Sequence, residues 1–330
     1  MSDSGTIIII NMDERAALAG SEWRRVPRAI LGVAVTVVAA AVLGGGCATS
    51  SGRGGPTGAG ASPRVGVVAA ENFWGDIASQ IGGDRVAVTS IIKEPGVDPH
   101  LYETSTRDAA AVDKARVVIR NGLGYDDFLD RVLGASVHAD RVVVSVDTVL
   151  DVHGQEANPH LWYMTQRLPA VAAAISSALG RADPPGAALF GANAERFASS
   201  LRPILDSIST IKAKYGGAPV AYTERVPGYL LDAAGLSVTS PEAFARAVEA
   251  GNDPSPQAVQ QFETLLRTKA VKVLLYNSQA TSPVTDHIRA LARQAGVPVV
   301  GVSETIPRRE QNFQSWQLHQ VTAVLQALGG

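Results

Sequence analysis

The chain has 330 residues, 46% hydrophobic and 18% charged, with a mean hydropathy of +0.09. That profile fits a folded chain of about two domains and excludes a mostly disordered one. The formal net charge of −2 gives no electrostatic case for nucleic-acid binding, and the lone cysteine, Cys47, excludes an internal disulfide, a zinc finger or a cysteine-held iron–sulfur cluster.

In chain order, the first segment is an address. Arg24, Arg25 and Arg28 precede an apolar run over 29–43, followed by Gly44-Gly45-Gly46-Cys47. A positive flank, a short apolar core and small residues before a cleavage point make residues 1–46 a secretory signal with an N-terminal extension. As a helix the run would span about 22 Å, short of the hydrocarbon core at about 30 Å. Cys47 directly after small residues resembles a bacterial lipobox, which implies lipidation of Cys47, although Gly44 stands where that pattern usually has Leu. Residues 47–64 are rich in Gly, Ser, Thr and Pro and cannot bury a core; they read as a flexible tether to a membrane surface.

From Val65 onward, short β-branched runs alternate with helical patterns. Strands are expected over 65–69, 86–92, 116–120 and 141–146, with helices over 73–81, 104–114 and 124–133 between them. A second set follows, with strands over 218–222, 271–276 and 297–302 and helices over 227–234, 256–268 and 283–294. Ser255-Pro256 and Ser282-Pro283 are good helix starts. The alternation predicts an α/β protein of two lobes with mostly parallel sheets, residues 65–184 and 217–330. Residues 185–216 carry a helical pattern without strand signals and join the lobes as a long rigid helix. Pro203 within it predicts a kink or local break.

Two pentads echo one another, Asp98-Pro99-His100-Leu101-Tyr102 and Asn158-Pro159-His160-Leu161-Trp162. Proline stiffens the backbone from which each imidazole emerges, as metal ligation requires. Glu224 follows the strand over 218–222 and Glu304 the strand over 297–302. The carboxyl ends of parallel strands face the ligand crevice, so His100, His160, Glu224 and Glu304 can converge between the lobes as ligands of a divalent metal. Of the other histidines, His138 and His287 are expected to face water and His319 to pack near Trp316, while His153 is a weaker candidate for the site.

The body resembles the zinc/manganese solute-binding lipoproteins of bacterial ABC transporters, often called cluster A-I. The resemblance rests on Glu71-Asn72-Phe73-Trp74, Asp98-Pro99-His100, Asn121-Gly122-Leu123-Gly124-Tyr125, Asn158-Pro159-His160-Leu161-Trp162, Asp253-Pro254-Ser255-Pro256, Tyr276-Asn277-Ser278-Gln279 and the Glu304 segment, in that order. It implies two α/β lobes, a rigid linking helix and one metal in the interlobe cleft. His100, His160 and Glu224 match the family's ligand positions, with Glu304 where manganese binders carry Asp. The family's role would be capture of Zn²⁺ or Mn²⁺, less readily Fe²⁺, outside the cytoplasmic membrane, with delivery to an ABC permease and its ATPase by a lipid-anchored monomer. The His- and acid-rich loop of zinc-specific members is reduced here to Asp151-Val152-His153-Gly154-Gln155-Glu156. Two other readings share the same features: a metal-dependent hydrolase using the His/Glu cluster, and a surface adhesin. The chain lacks a His-Glu-x-x-His helix and a Gly-x-Ser-x-Gly elbow.

Overall fold

The computed structural model describes residues 64–94, 102–154 and 156–329. The signal, Cys47, the tether up to residue 63 and His100 lie outside the described residues.

The first lobe opens with β1 (Val65–Glu71), α1 (Asn72–Gly82), β2 (Val86–Ile92), α2 (Thr106–Lys114), β3 (Val117–Arg120), α3 (Asp127–Ala135), β4 (Val142–Ser145) and the single turn α4 (Val146–Val149). Its four strands are all parallel, in the order β2-β1-β3-β4. Strand periodicity splits β1 between two faces. Val65, Val67 and Ala69 join one core with α1, while Val68 and Ala70 join another with Val112 of α2 and Phe128 and Leu129 of α3.

Next come α5 (Leu168–Ala182), α6 (Ala187–Ser200) and α7 (Arg202–Tyr215). The connector is therefore two helices that part at Leu201, with Pro203 in the first turn of α7, where its missing N–H costs no internal hydrogen bond.

The second lobe contains β5 (Pro219–Tyr222), α8 (Gly228–Ala233), β6 (Ser237–Val238), α9 (Glu242–Glu249), α10 (Pro256–Arg267), β7 (Leu274–Asn277), α11 (Pro283–Ala295), β8 (Val299–Val302) and α12 (Phe313–Ala327). Its sheet is again parallel, ordered β6-β5-β7-β8. Sequence patterning gave no signal for β6, which has only two residues. Ser282 and Asn312 cap α11 and α12 by accepting from the backbone N–H three residues on.

One apolar core runs from the inner face of the first sheet through α1, α5, α6 and α7 to α12 and the inner face of the second sheet. Polar contacts reinforce this seam. Asn72 Nδ2 donates to the Ile306 carbonyl and Ile306 N–H to Asn72 Oδ1, both at 2.9 Å. Phe313 N–H donates to Asp76 Oδ2 at 2.9 Å, and Gln80 and Gln314 exchange amide hydrogen bonds.

Candidate metal centre

Glu224 lies two residues beyond β5 and Glu304 two beyond β8, both at the carboxyl edge of the second sheet, while His160 comes from the first-lobe loop that follows α4. Each offers one ligand atom, and the three atoms lie within 4.8 Å of one another. All three side chains are buried. The structure thus brings together three of the four expected ligands; the fourth, His100, is outside the described residues.

The His160 ring is oriented by its own loop. Asn158 Oδ1 accepts from the His160 backbone N–H at 3.1 Å and sits 2.5 Å from Nδ1. Asn158 Nδ2 donates to the Arg225 carbonyl at 2.8 Å, which fixes the amide with its oxygen toward the ring. The proton therefore sits on Nδ1, and the Nε2 lone pair points to the carboxylates, 3.5 Å from Glu304 Oε2. Asn121 Nδ2 donates to the Pro159 carbonyl at 2.8 Å, and Tyr229 Oη to the Asn158 carbonyl at 2.8 Å, so both lobes hold this loop.

The two carboxylates are tied by one amide. Asn277 Nδ2 donates to Glu224 Oε2 at 2.6 Å and to Glu304 Oε1 at 2.5 Å. Gln279 holds the turn behind Glu304, its Oε1 accepting from the Glu304 and Thr305 N–H groups at 2.5 and 2.9 Å. Tyr125 Oη donates to Glu304 Oε2 at 2.8 Å. Its ring also packs against Trp162 at a tilt of 54°, with centroids 5.1 Å apart.

Tyr125 is placed by a turn in which Gly122, Leu123 and Gly124 all have positive φ (83°, 56° and 76°). A Cβ at Gly122 would lie 2.2 Å from the Asp147 carboxylate, which demands glycine there. Asp126 closes the turn by accepting from the Asn121 and Gly122 N–H groups at 2.6 and 2.9 Å.

The electrostatics disfavour charge without a counter-ion. Burial pushes Asp126 up to about 6, against the pull of its two backbone donors. Burial, then the charge of Asp126, holds the Glu71 carboxyl well above the usual range, and burial and the Glu304 charge raise the Tyr125 hydroxyl, keeping it a donor. Two carboxylates converging with an imidazole in a buried cleft call for a cation. The O,O,N donor set suits Zn²⁺, Mn²⁺ or Fe²⁺, and the centre offers no thiolate for Cu(I).

The remaining histidines lie away from this centre. His138 pairs with Asp113 and His287 with Glu263, both half-exposed, as their polar surroundings suggest. His153 pairs with Asp151 and is exposed, so it does not join the cluster. His319 does not pack as expected: it is exposed beside Glu310, while Trp316 is buried and donates to Ser303 Oγ. The sequence reading assigned no role to Tyr125, Asn158 or Asn277, although all three lie in the segments that carried the family resemblance.

Comparison with known proteins agrees with this architecture. The profile of the family described as zinc-uptake complex component A periplasmic matches residues 67–327. A manganese-binding lipoprotein MntA of Halalkalibacterium halodurans is 32% identical over 151 residues, 44% of this chain and half of that relative's length. The manganese-binding lipoprotein MntA of Bacillus subtilis is 24% identical over 270 residues, covering 76% of this chain and 81% of the relative. Among solved structures, the periplasmic zinc-binding protein TroA of Treponema pallidum superposes with a TM-score of 0.70 at 17% identity, over 82% of this chain and all of that one. The Ni²⁺ complex of the binding protein FpvC from Pseudomonas aeruginosa does so at 0.67 and 24% identity, over 80% and 97%.

Proposed function

Because the chain belongs to the periplasmic zinc-uptake component A family, we propose that it is an extracytoplasmic solute-binding protein that captures one divalent transition metal, zinc or manganese, and hands it to an ABC permease for uptake powered by the cognate ATPase. The observation that carries this reading is the buried convergence of His160 from one lobe with Glu224 and Glu304 from the other, their ligand atoms within 4.8 Å. His100 is the fourth ligand in this proposal. The relatives named for manganese and the structural neighbour named for zinc support the class of cargo. The protein acts as a monomer on the outer face of the cytoplasmic membrane, anchored through lipid on Cys47.

Capture needs no chemistry beyond ligand exchange. The cation offsets the mutual repulsion of Glu224 and Glu304, and the imidazoles bind it only when neutral, so affinity falls as pH drops through the histidine range. With four protein ligands a tetrahedral metal keeps no water to activate, which favours carriage over hydrolysis.

The test is metal analysis of the stripped protein offered equimolar Zn²⁺, Mn²⁺ and Fe²⁺ anaerobically. One equivalent of one metal in the wild type, lost in His160→Ala and His100→Ala, is the expected result. Stoichiometric metal retained in both variants would overturn the ligand assignment, and none in the wild type would overturn the function.

A further inference from the structure

Glu71 ends β1, the interior strand that pairs with β2 on one side and β3 on the other. It is 0% exposed; its own backbone N–H faces the carboxylate, and no other described residue donates to either oxygen. Strand alternation puts it on the same face as Val65, Val67 and Ala69, the face whose core also holds Tyr125 and Trp162. Its charge is felt by Glu304 and by Tyr125, the residue bonded to Glu304, as well as by Asp126. Among the described residues the cation acting on it is Arg120, which forms its ion pair with Asp130 instead. A buried carboxyl with no donor from any other described residue is costly and calls for a ligand to account for it.

We infer that Glu71 is a further metal-binding carboxylate, used by cations that take more than four oxygen and nitrogen ligands, and that it sets preference for Mn²⁺ over Zn²⁺. This rests on the metal-carrier reading above. Glu71 stands outside the group of His160, Glu224 and Glu304 whose ligand atoms lie within 4.8 Å, so a tetrahedral metal satisfied by that group and one further donor has no call on it. A cation that favours octahedral, oxygen-rich coordination does, and a side chain with three rotatable torsions and no hydrogen bond to another described residue can turn toward it. Zn²⁺, which outranks Mn²⁺ in intrinsic affinity for such donors, gains nothing from the extra oxygen.

The experiment titrates the stripped full protein with Mn²⁺ and Zn²⁺ separately, in wild type, Glu71→Gln and Glu71→Leu. It also records the electron paramagnetic resonance spectrum of bound Mn²⁺ and the melting temperature without metal. We expect Mn²⁺ affinity to fall about tenfold or more in both variants, of the size seen when a metal's supporting groups are removed, with Zn²⁺ affinity almost unchanged. The Mn²⁺ spectrum should change, and the metal-free melting temperature should not fall in Glu71→Gln. Equal loss for both metals, or unchanged affinity with an unchanged Mn²⁺ spectrum, would overturn the assignment. Failure of the wild type to take up either metal would instead overturn the carrier function on which it rests.

Discussion

Tyr125 Oη lies 2.8 Å from Glu304 Oε2, a bond between residues 179 positions apart that links the turn after β3 in one lobe to the loop after β8 in the other. Burial and the neighbouring carboxylate keep the phenol protonated, so it orients Glu304 without competing as an anion. Tyr125→Phe keeps the packing against Trp162 and removes only the donor. Metal affinity should fall about tenfold to a hundredfold, with a stability loss of about 1 kcal/mol. Calorimetric titration beside thermal unfolding checks both numbers; unchanged affinity would reduce Tyr125 to a packing residue.

Asn277 satisfies one oxygen on each of Glu224 and Glu304 with a single uncharged amide. Asn277→Asp replaces that donor with a third carboxylate in a buried site. The metal-free variant should lose about 3–5 kcal/mol, the cost of an uncompensated buried charge. Metal at about a thousand times its dissociation constant should restore about 4 kcal/mol of stability. Scanning calorimetry with and without Zn²⁺ measures the recovery, and a deficit that metal does not shrink would argue against Glu224 and Glu304 as ligands.

Asp126 makes a prediction about pH. Its carboxyl moves from 3.8 to about 6 on folding, and Glu71 moves upward as well. A group with a raised folded value binds more protons in the folded state, so its stabilisation is complete below the unfolded value and is lost as pH rises through the folded one. The metal-free protein should therefore be most stable near pH 4 and should lose up to about 3 kcal/mol through Asp126 as pH rises from about 4 to 6. The lowered carboxyls of Asp183 and Glu263, each held down by a cationic or imidazole partner, reverse the slope at lower pH. The metal-loaded protein should show the opposite slope from pH 5 to 7, because its imidazoles must shed protons to bind. Denaturant titrations across that range in both states, repeated in Asp126→Asn, test the sign.

The seam between α1 and α12 restrains the lobes. Asn72 is bonded twice to the backbone of Ile306, two residues past Glu304, and Asp76 accepts from the first residue of α12. Metal-free and metal-loaded wild type should give superimposable small-angle scattering curves. Asn72→Ala combined with Asp76→Ala, each change removing hydrogen bonds worth about 1 kcal/mol apiece, should let the two states diverge. A wide closure in the wild type would contradict the restraint.

Sequence reasoning reached the strands that end at the site because their β-branched runs are short and bounded, and three of the residues it singled out after such runs or within a proline-stiffened pentad, His160, Glu224 and Glu304, converge in the fold. It gave no signal for α5, whose Ala-rich stretch over 168–182 carries weak amphipathic contrast, or for β6, too short to show alternation. The residues that orient the ligands were illegible for a different reason. Tyr125 and Asn277 act on side chains that approach only after both sheets have formed, so no local spacing marks them. Glu71 stood in the sequence only as part of the Glu71-Asn72-Phe73-Trp74 segment; its lack of a donor from any other described residue is a property of the packed lobe alone.

The core that passes from one sheet through α6 and α7 to the other also sets how the molecule comes apart. Phe190 and Phe197 of α6, Leu201 and Ile208 are all buried in it, so separating the sheets exposes the same side chains that unfolding would. The lobes therefore have no melting transitions of their own, and residues 64–184 or 217–329 expressed alone would each present a raw apolar face to water. Cargo held at the cleft raises the melting point of the entire body in one step.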